Sequence, residues 1–187
     1  MESIYFMRHA WWKAPTGDKS VIKQQYPGAM IYDPGKNKTN GLYSGVAAFD
    51  FASLYPSMML ARNISWETKS PRPTEFAVNL STPRDFSEIE EKNMVYYKTD
   101  KLGVLPQAVL ELKTLRDGYK ARMKKAKNDE EHTKWYNNQM AVKRLMASFY
   151  GIIGYHGYGW SDITVASSIT ASAREAIRAV ANKVEEL

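Results

Sequence analysis

Between Leu105 and Tyr150 the chain carries two long amphipathic stretches with a single break between them, and this pattern narrows the architecture most. Leu105, Val109, Leu112, Leu115 and Tyr119 recur at helical spacing. They predict a helix of about twenty residues beginning near Pro106, since proline suits a first turn whose N–H groups have no partner. Asn128-Asp129 interrupts the pattern and offers a side-chain oxygen to cap a second helix, expected from about Glu130 to Tyr150 and ending near Gly151 and Gly154. Two long helices joined by so short a turn fold back on each other as an antiparallel hairpin.

The hairpin also holds the charge. The net charge is +6, and Lys113 to Leu145 contains ten Lys/Arg against four Asp/Glu, while the remainder carries sixteen of each sign. Lys113, Arg116, Lys120, Lys124 and Lys127 are spaced three or four apart and share one face. Arg and Lys one turn apart match a chain of phosphates, the Arg as a fork and the Lys as a point charge. A solvated helix face is the commoner meaning of such a run, and charge alone leaves both readings open.

The rest of the chain reads as mixed structure. Residues 1–45 are punctuated by Pro15, Gly17, Pro27, Gly28, Pro34, Gly35 and Gly41, with short strands expected, including Ala29–Tyr32. A strand is expected over Gly45–Phe51 and a short helix over Ser57–Arg62. Residues 69–101 read as a loop-rich connection with one strand at Met94–Lys98, and Ser167–Glu186 as a helix with Ile169, Ala173, Ile177 and Val180 on one side. The fold class is α+β. Without cysteine the chain has no disulfide framework and no thiolate metal site. It also lacks an apolar run of the roughly 18 residues a membrane span needs and a signal-peptide core, so a cytoplasmic protein is expected.

Two short strings carry chemistry. In Asp50-Phe51-Ala52-Ser53-Leu54-Tyr55-Pro56-Ser57, a carboxylate ends an apolar run and a proline stops it. A lone Asp there most often caps a helical turn. Unless a cation or hydrogen bonds compensate it, the charge is costly. In Lys143-Arg144-Leu145-Met146-Ala147-Ser148-Phe149-Tyr150-Gly151, Lys143, Ala147 and Tyr150 fall on one helical face. A basic, a small and an aromatic residue together suit a nucleotide, although in a helix taken alone Tyr150 in the core and Lys143 in solvent is the commoner meaning.

The first string closely resembles motif A of the family B DNA polymerases, and the second their motif B, with Lys143, Ser148, Tyr150 and Gly151 in register and Ala147 where Asn is usual. Gly103-Val104-Leu105-Pro106, followed by Arg116 and Lys120, resembles the start of the family's first fingers helix. Tyr26-Pro27-Gly28-Ala29 resembles its Tyr-x-Gly-Gly/Ala template element. Gly41-Leu42-Tyr43 and Asn63-Ile64-Ser65-Trp66-Glu67-Thr68 also follow the family, with Trp66 where Pro is common. The resemblance spans about residues 26–180.

It implies a partial palm over 1–102, a fingers hairpin over 103–154, and a return to the palm over 155–187. It implies Mg²⁺-dependent, two-metal nucleotidyl transfer, with primer–template DNA and dNTP as partners. Asp50 would bridge the metals and the Phe51 carbonyl would help. Ser53, Leu54 and Tyr55 would cradle the triphosphate together with Arg116, Lys120 and Lys143. Tyr55 would exclude a ribose 2′-hydroxyl, and Tyr150 and Gly151 would pack at the nascent base pair. Tyr26, Gly28, Ala29 and Gly151 would meet DNA. The family's second metal-binding Asp lies in an Asp-x-Asp hairpin, and this sequence contains no Asp-x-Asp. A fragment is therefore expected, inactive until a missing palm and thumb segment or a companion chain is supplied. The alternative is a non-catalytic nucleotide- or DNA-binding module.

Overall fold

The computed structural model describes residues 26–30, 44–45, 50–90, 92–155 and 158–186. Its elements, in order, are α1 (Leu54–Ala61), β1 (Lys69–Ser70), β2 (Phe76–Asn79), β3 (Met94–Tyr97), α2 (Val104–Lys124), α3 (Asp129–Gly154) and α4 (Ile163–Glu185). The α+β expectation holds.

The hairpin forms as its periodicity dictates. Leu105, Val109 and Leu112 of α2 bury against Val142, Met146 and Phe149 of α3. Each such side chain contributes about 1.5–3 kcal/mol of hydrophobic free energy. Asn128 caps α3 by accepting from the Glu131 amide at 2.8 Å, and Asp129, Glu130 and Glu131 complement the positive end of the helix in its first turn. The helix runs on through Gly151 to Gly154. A glycine inside a helix costs about 1 kcal/mol, which does not outweigh the packing of Phe149 and Ile153 on either side.

Three other expectations change. The connection over 69–101 is a three-stranded antiparallel sheet in the order β1-β3-β2, with Val78 opposite Val95 and Ala77 opposite Tyr96. The strands are only two to four residues long, too short to set an alternating pattern in the sequence. The first helix begins at Leu54 and takes Pro56 into its first turn, where a missing N–H is harmless. The last helix begins at Ile163, four residues early, because Asp162 caps it by accepting from the Val165 amide at 3.1 Å.

Asp50, Phe51, Ala29 and Met30 carry no regular secondary structure. The remainder of the two expected strands, residues 46–49 and 31–32, lies outside the described residues, as do most of residues 1–45. α4 packs across α1, α3 and β2, and its Val165 and Ile169 join the buried cluster of Met59, Ile64, Val78 and Tyr97. One core thus runs under both the sheet and the root of the hairpin.

Candidate active site

A cavity of about 610 Å³ opens where the start of α1 faces the hairpin. Every residue expected to hold metal or nucleotide lines it. Asp50, Phe51, Ser53, Leu54 and Tyr55 form one side, and Arg116 and Lys120 of α2 with Lys143 and Tyr150 of α3 form the other. Ala173 and Ile177 of α4 add an apolar wall. Ala147 also lines the cavity, where a larger Asn would project into it.

Backbone geometry prepares the α1 side. Ser53 sits in the left-handed region at φ 59°, ψ 53°, a conformation that costs a non-glycine residue about 1–2 kcal/mol. It turns the chain sharply so that α1 starts at Leu54, leaving the first-turn amides without intrahelical partners on the cavity wall. Such amides, at the positive end of a helix, attract anions.

On the hairpin side, Arg116 donates from Nε to Oε1 of the buried Gln139 at 3.2 Å, which fixes the guanidinium against α3. Lys120 and Lys113 both flank Asp117, at 3.8 and 3.3 Å. The one-face array of the sequence is therefore divided. Arg116 and Lys120 reach the cavity, while Lys113, Lys124 and Lys127 are exposed and do not line it.

Three tyrosines join the walls. The Tyr55 and Tyr150 rings lie 4.8 Å apart at 50°, and the Tyr150 and Tyr26 hydroxyls hydrogen-bond at 2.9 Å. Burial raises the Tyr55 and Tyr150 hydroxyls above the ordinary tyrosine value, and neighbouring phenols add to the effect. Both therefore remain neutral. Tyr26 can approach this closely because residue 154 is glycine: a Cβ there would stand 2.5 Å from the Tyr26 hydroxyl.

Ala29 lines the cavity. Gly28 instead meets Arg174, the largest fully buried side chain. Arg174 donates to the carbonyls of Pro27 and Gly28 (both 2.8 Å), Thr82 (2.7 Å) and Leu80 (3.3 Å). It ties the Tyr26–Ala29 element to the end of β2, and desolvation lowers its pKa below the usual arginine value. Arg174 and Gln139 were missed by sequence reasoning. Each acts through partners far away in the chain, and no local pattern marks either. Gly151 is exposed and does not line the cavity.

Asp50 and the Phe51 carbonyl supply hard oxygen donors on the cavity wall. Among the described residues no group of three or more His, Cys, Asp or Glu gathers to hold a metal, and no helix is long and apolar enough to cross a membrane.

The chain is similar to known proteins over nearly its whole length. Residues 11–187 match the family described as DNA polymerase family B. A DNA polymerase of Pyrococcus glycovorans is 31% identical over 165 residues, covering 88% of this chain and 20% of the relative. The DNA polymerase delta catalytic subunit of Candida albicans is 30% identical over 164 residues, covering 87% and 15%. The solved family B DNA polymerase of Pyrobaculum calidifontis superimposes with a TM-score of 0.66 at 27% identity, over 97% of this chain and 23% of that one. The chain thus spans about a fifth of the length of the relatives it matches.

Proposed function

The chain belongs to DNA polymerase family B, and we propose that it forms the nucleotide-binding part of a template-directed DNA polymerase, with α2 and α3 as the fingers and the sheet with α4 as part of the palm. One observation carries this reading. A single cavity gathers the Asp50 carboxylate with three cations, Arg116, Lys120 and Lys143, that lie more than sixty residues after it in the chain. A structural hairpin has no need to aim these groups at one space.

In the proposed mechanism, the dNTP triphosphate lies between Arg116, Lys120 and Lys143 on one side and the Leu54 and Tyr55 amides on the other. Gln139 keeps the Arg116 fork oriented. The Tyr55 ring, braced by Tyr150, lies under the sugar and leaves no room for a 2′-hydroxyl. Tyr26, Gly28, Ala29 and Gly151 are assigned to the DNA.

The donor set fits a hard divalent cation such as Mg²⁺, which is usually held by one or two carboxylates plus substrate phosphates and water. Asp50 and the Phe51 carbonyl would hold it. When bound, such an ion neutralises developing charge on the phosphates and lowers the pKa of a coordinated hydroxyl. A two-metal site needs a further carboxylate beside Asp50. A second reading is a module that binds nucleotide without turning it over, which Arg116, Lys120 and Lys143 lining the cavity would equally serve.

Primer extension by the 187-residue chain in Mg²⁺, alongside dNTP binding by calorimetry, tests both readings. Binding that needs Arg116 and Lys143 is the expected result. Extension abolished by Asp50→Ala would exclude the module reading, and absence of any dNTP binding would overturn the site.

A further inference from the structure

The residues just after α1 do more than link it to the sheet. The amides of Gly103, Val104 and Leu105, at the head of α2, are all taken by side chains from one loop forty residues upstream. Asn63 Oδ1 accepts from Gly103 at 2.7 Å, Glu67 Oε1 from Val104, and Ser65 Oγ from Leu105 at 3.3 Å. Helix α2 has no side-chain cap of its own, so these distant groups satisfy amides that a helix start leaves open. The carboxylate also sits at the positive end of the helix.

The loop is itself fixed. Asn63 holds a left-handed φ of 51° and donates from Nδ2 to the carbonyls of Lys98 and Lys101, both at 2.8 Å. Ser65 donates to Glu67 Oε2 at 2.7 Å, and Thr68 to the Asn63 carbonyl at 2.6 Å. Gly103 is required by proximity. A Cβ there would stand 2.7 Å from Ser65 Cβ and 2.8 Å from Thr68 Cγ2.

The same loop grips the other end of the hairpin. Trp66 donates from Nε1 to the Trp160 carbonyl at 2.9 Å, and the two indoles lie 5.3 Å apart. Lys69 pairs with Asp162 at 2.6 Å. Asp162 in turn donates its amide to the Ile153 carbonyl at the end of α3 and caps α4.

We infer that Asn63–Lys69 is the socket of the hairpin, with Glu67 and Lys69 as positioning residues that set the angle at which α2 and α3 stand over the cavity. None of these side chains lines the cavity, so they act only through hairpin orientation. Any consequence for nucleotide affinity rests on the proposed function, whereas the orientation itself does not.

The chain has no cysteine, so Lys125→Cys near the hairpin tip and Glu75→Cys beside the sheet can carry a pair of spin labels. The unsubstituted socket should give one narrow distance distribution. Glu67→Ala, Gly103→Ala and Lys69→Met should each broaden or shift it at unchanged far-ultraviolet helicity, and Glu67→Gln, which keeps an acceptor for the Val104 amide, should restore much of it. Calorimetry on the same proteins should show dATP affinity falling about tenfold in Glu67→Ala, within the range of ordinary coupling between sites. If Glu67→Ala lowers helicity, Gly103→Ala and Lys69→Met decide the matter. Unchanged distances in the folded variants overturn the socket. Changed distances in a chain that binds no dATP at all uphold the socket and retire the nucleotide site instead.

Discussion

The hydroxyls of Tyr26 and Tyr150 meet at 2.9 Å across 124 residues of sequence, and Tyr150 in turn leans on Tyr55. The element assigned to DNA and the residue proposed to lie under the sugar are therefore linked through one ring. Tyr26→Phe and Tyr150→Phe should each cost about 1 kcal/mol in urea unfolding. The double variant should cost little more than either single one, because both remove the same bond. Additive losses would show that the hydroxyls act separately.

Removing a cation assigned to the triphosphate should weaken dNTP binding by about tenfold, the scale of one charge-assisted contact. Arg116→Ala and Lys143→Ala are both expected to do this and to flatten the dependence of affinity on salt. Gln139→Leu should have a smaller effect in the same direction, since it frees the Arg116 fork without removing it. Calorimetric titrations at two ionic strengths provide the check. Equal affinities would take the hairpin out of the site.

Tyr55→Ala should narrow the gap between deoxyribo- and ribonucleotide affinity, chiefly by tightening ribonucleotide binding. Competition between ATP and dATP measures this directly. A ratio that stays as it was would remove Tyr55 from sugar selection.

Arg174→Met removes four hydrogen bonds and takes the arginine donor from the Gly28, Leu80 and buried Thr82 carbonyls, while Thr170 still donates to the Pro27 carbonyl. A loss of roughly 3 kcal/mol is expected from thermal or urea unfolding. Backbone exchange should rise at Gly28–Met30 and at Leu80–Thr82 more than in the hairpin. Uniform loosening would mean that Arg174 acts as general core rather than as a tie between these two segments.

Tyr97 is fully buried and donates to Ser168 Oγ at 2.7 Å, and burial raises its pKa well above the ordinary 10.0. The unfolded chain then releases this proton at lower pH than the folded one. Stability from this group is complete below about pH 9 and falls as pH rises through 10 toward the folded value. Tyr150 and Tyr55 shift in the same direction. Unfolding midpoints between pH 8 and 11 should decline above pH 10, and less steeply in Tyr97→Phe.

Local patterns made the hairpin legible. Leu105 to Tyr119 repeat at helical spacing, and Asn128 caps where a cap was expected. The cavity lining was legible because the Asp50–Tyr55 and Lys143–Tyr150 strings resemble known motifs closely enough to fix register. The sheet was hidden by strands of two to four residues. Arg174 was hidden because nothing near it in sequence distinguishes a buried arginine from a surface one on an alanine-rich helix. What caps the start of α2 was also hidden, since the capping groups lie at Asn63, Ser65 and Glu67.

Anchoring at the base makes the hairpin a lever. The 21 residues of α2 extend about 31 Å at 1.5 Å per residue, so a tilt of about 10° at Gly103 would carry the tip through roughly 5 Å. Arg116, nearer the fulcrum, would travel only about 3 Å, which is the difference between touching a phosphate and losing it. With α2 and α3 moving as one body, a small bend at the root of the helix would thus be enough to change the width of the cavity.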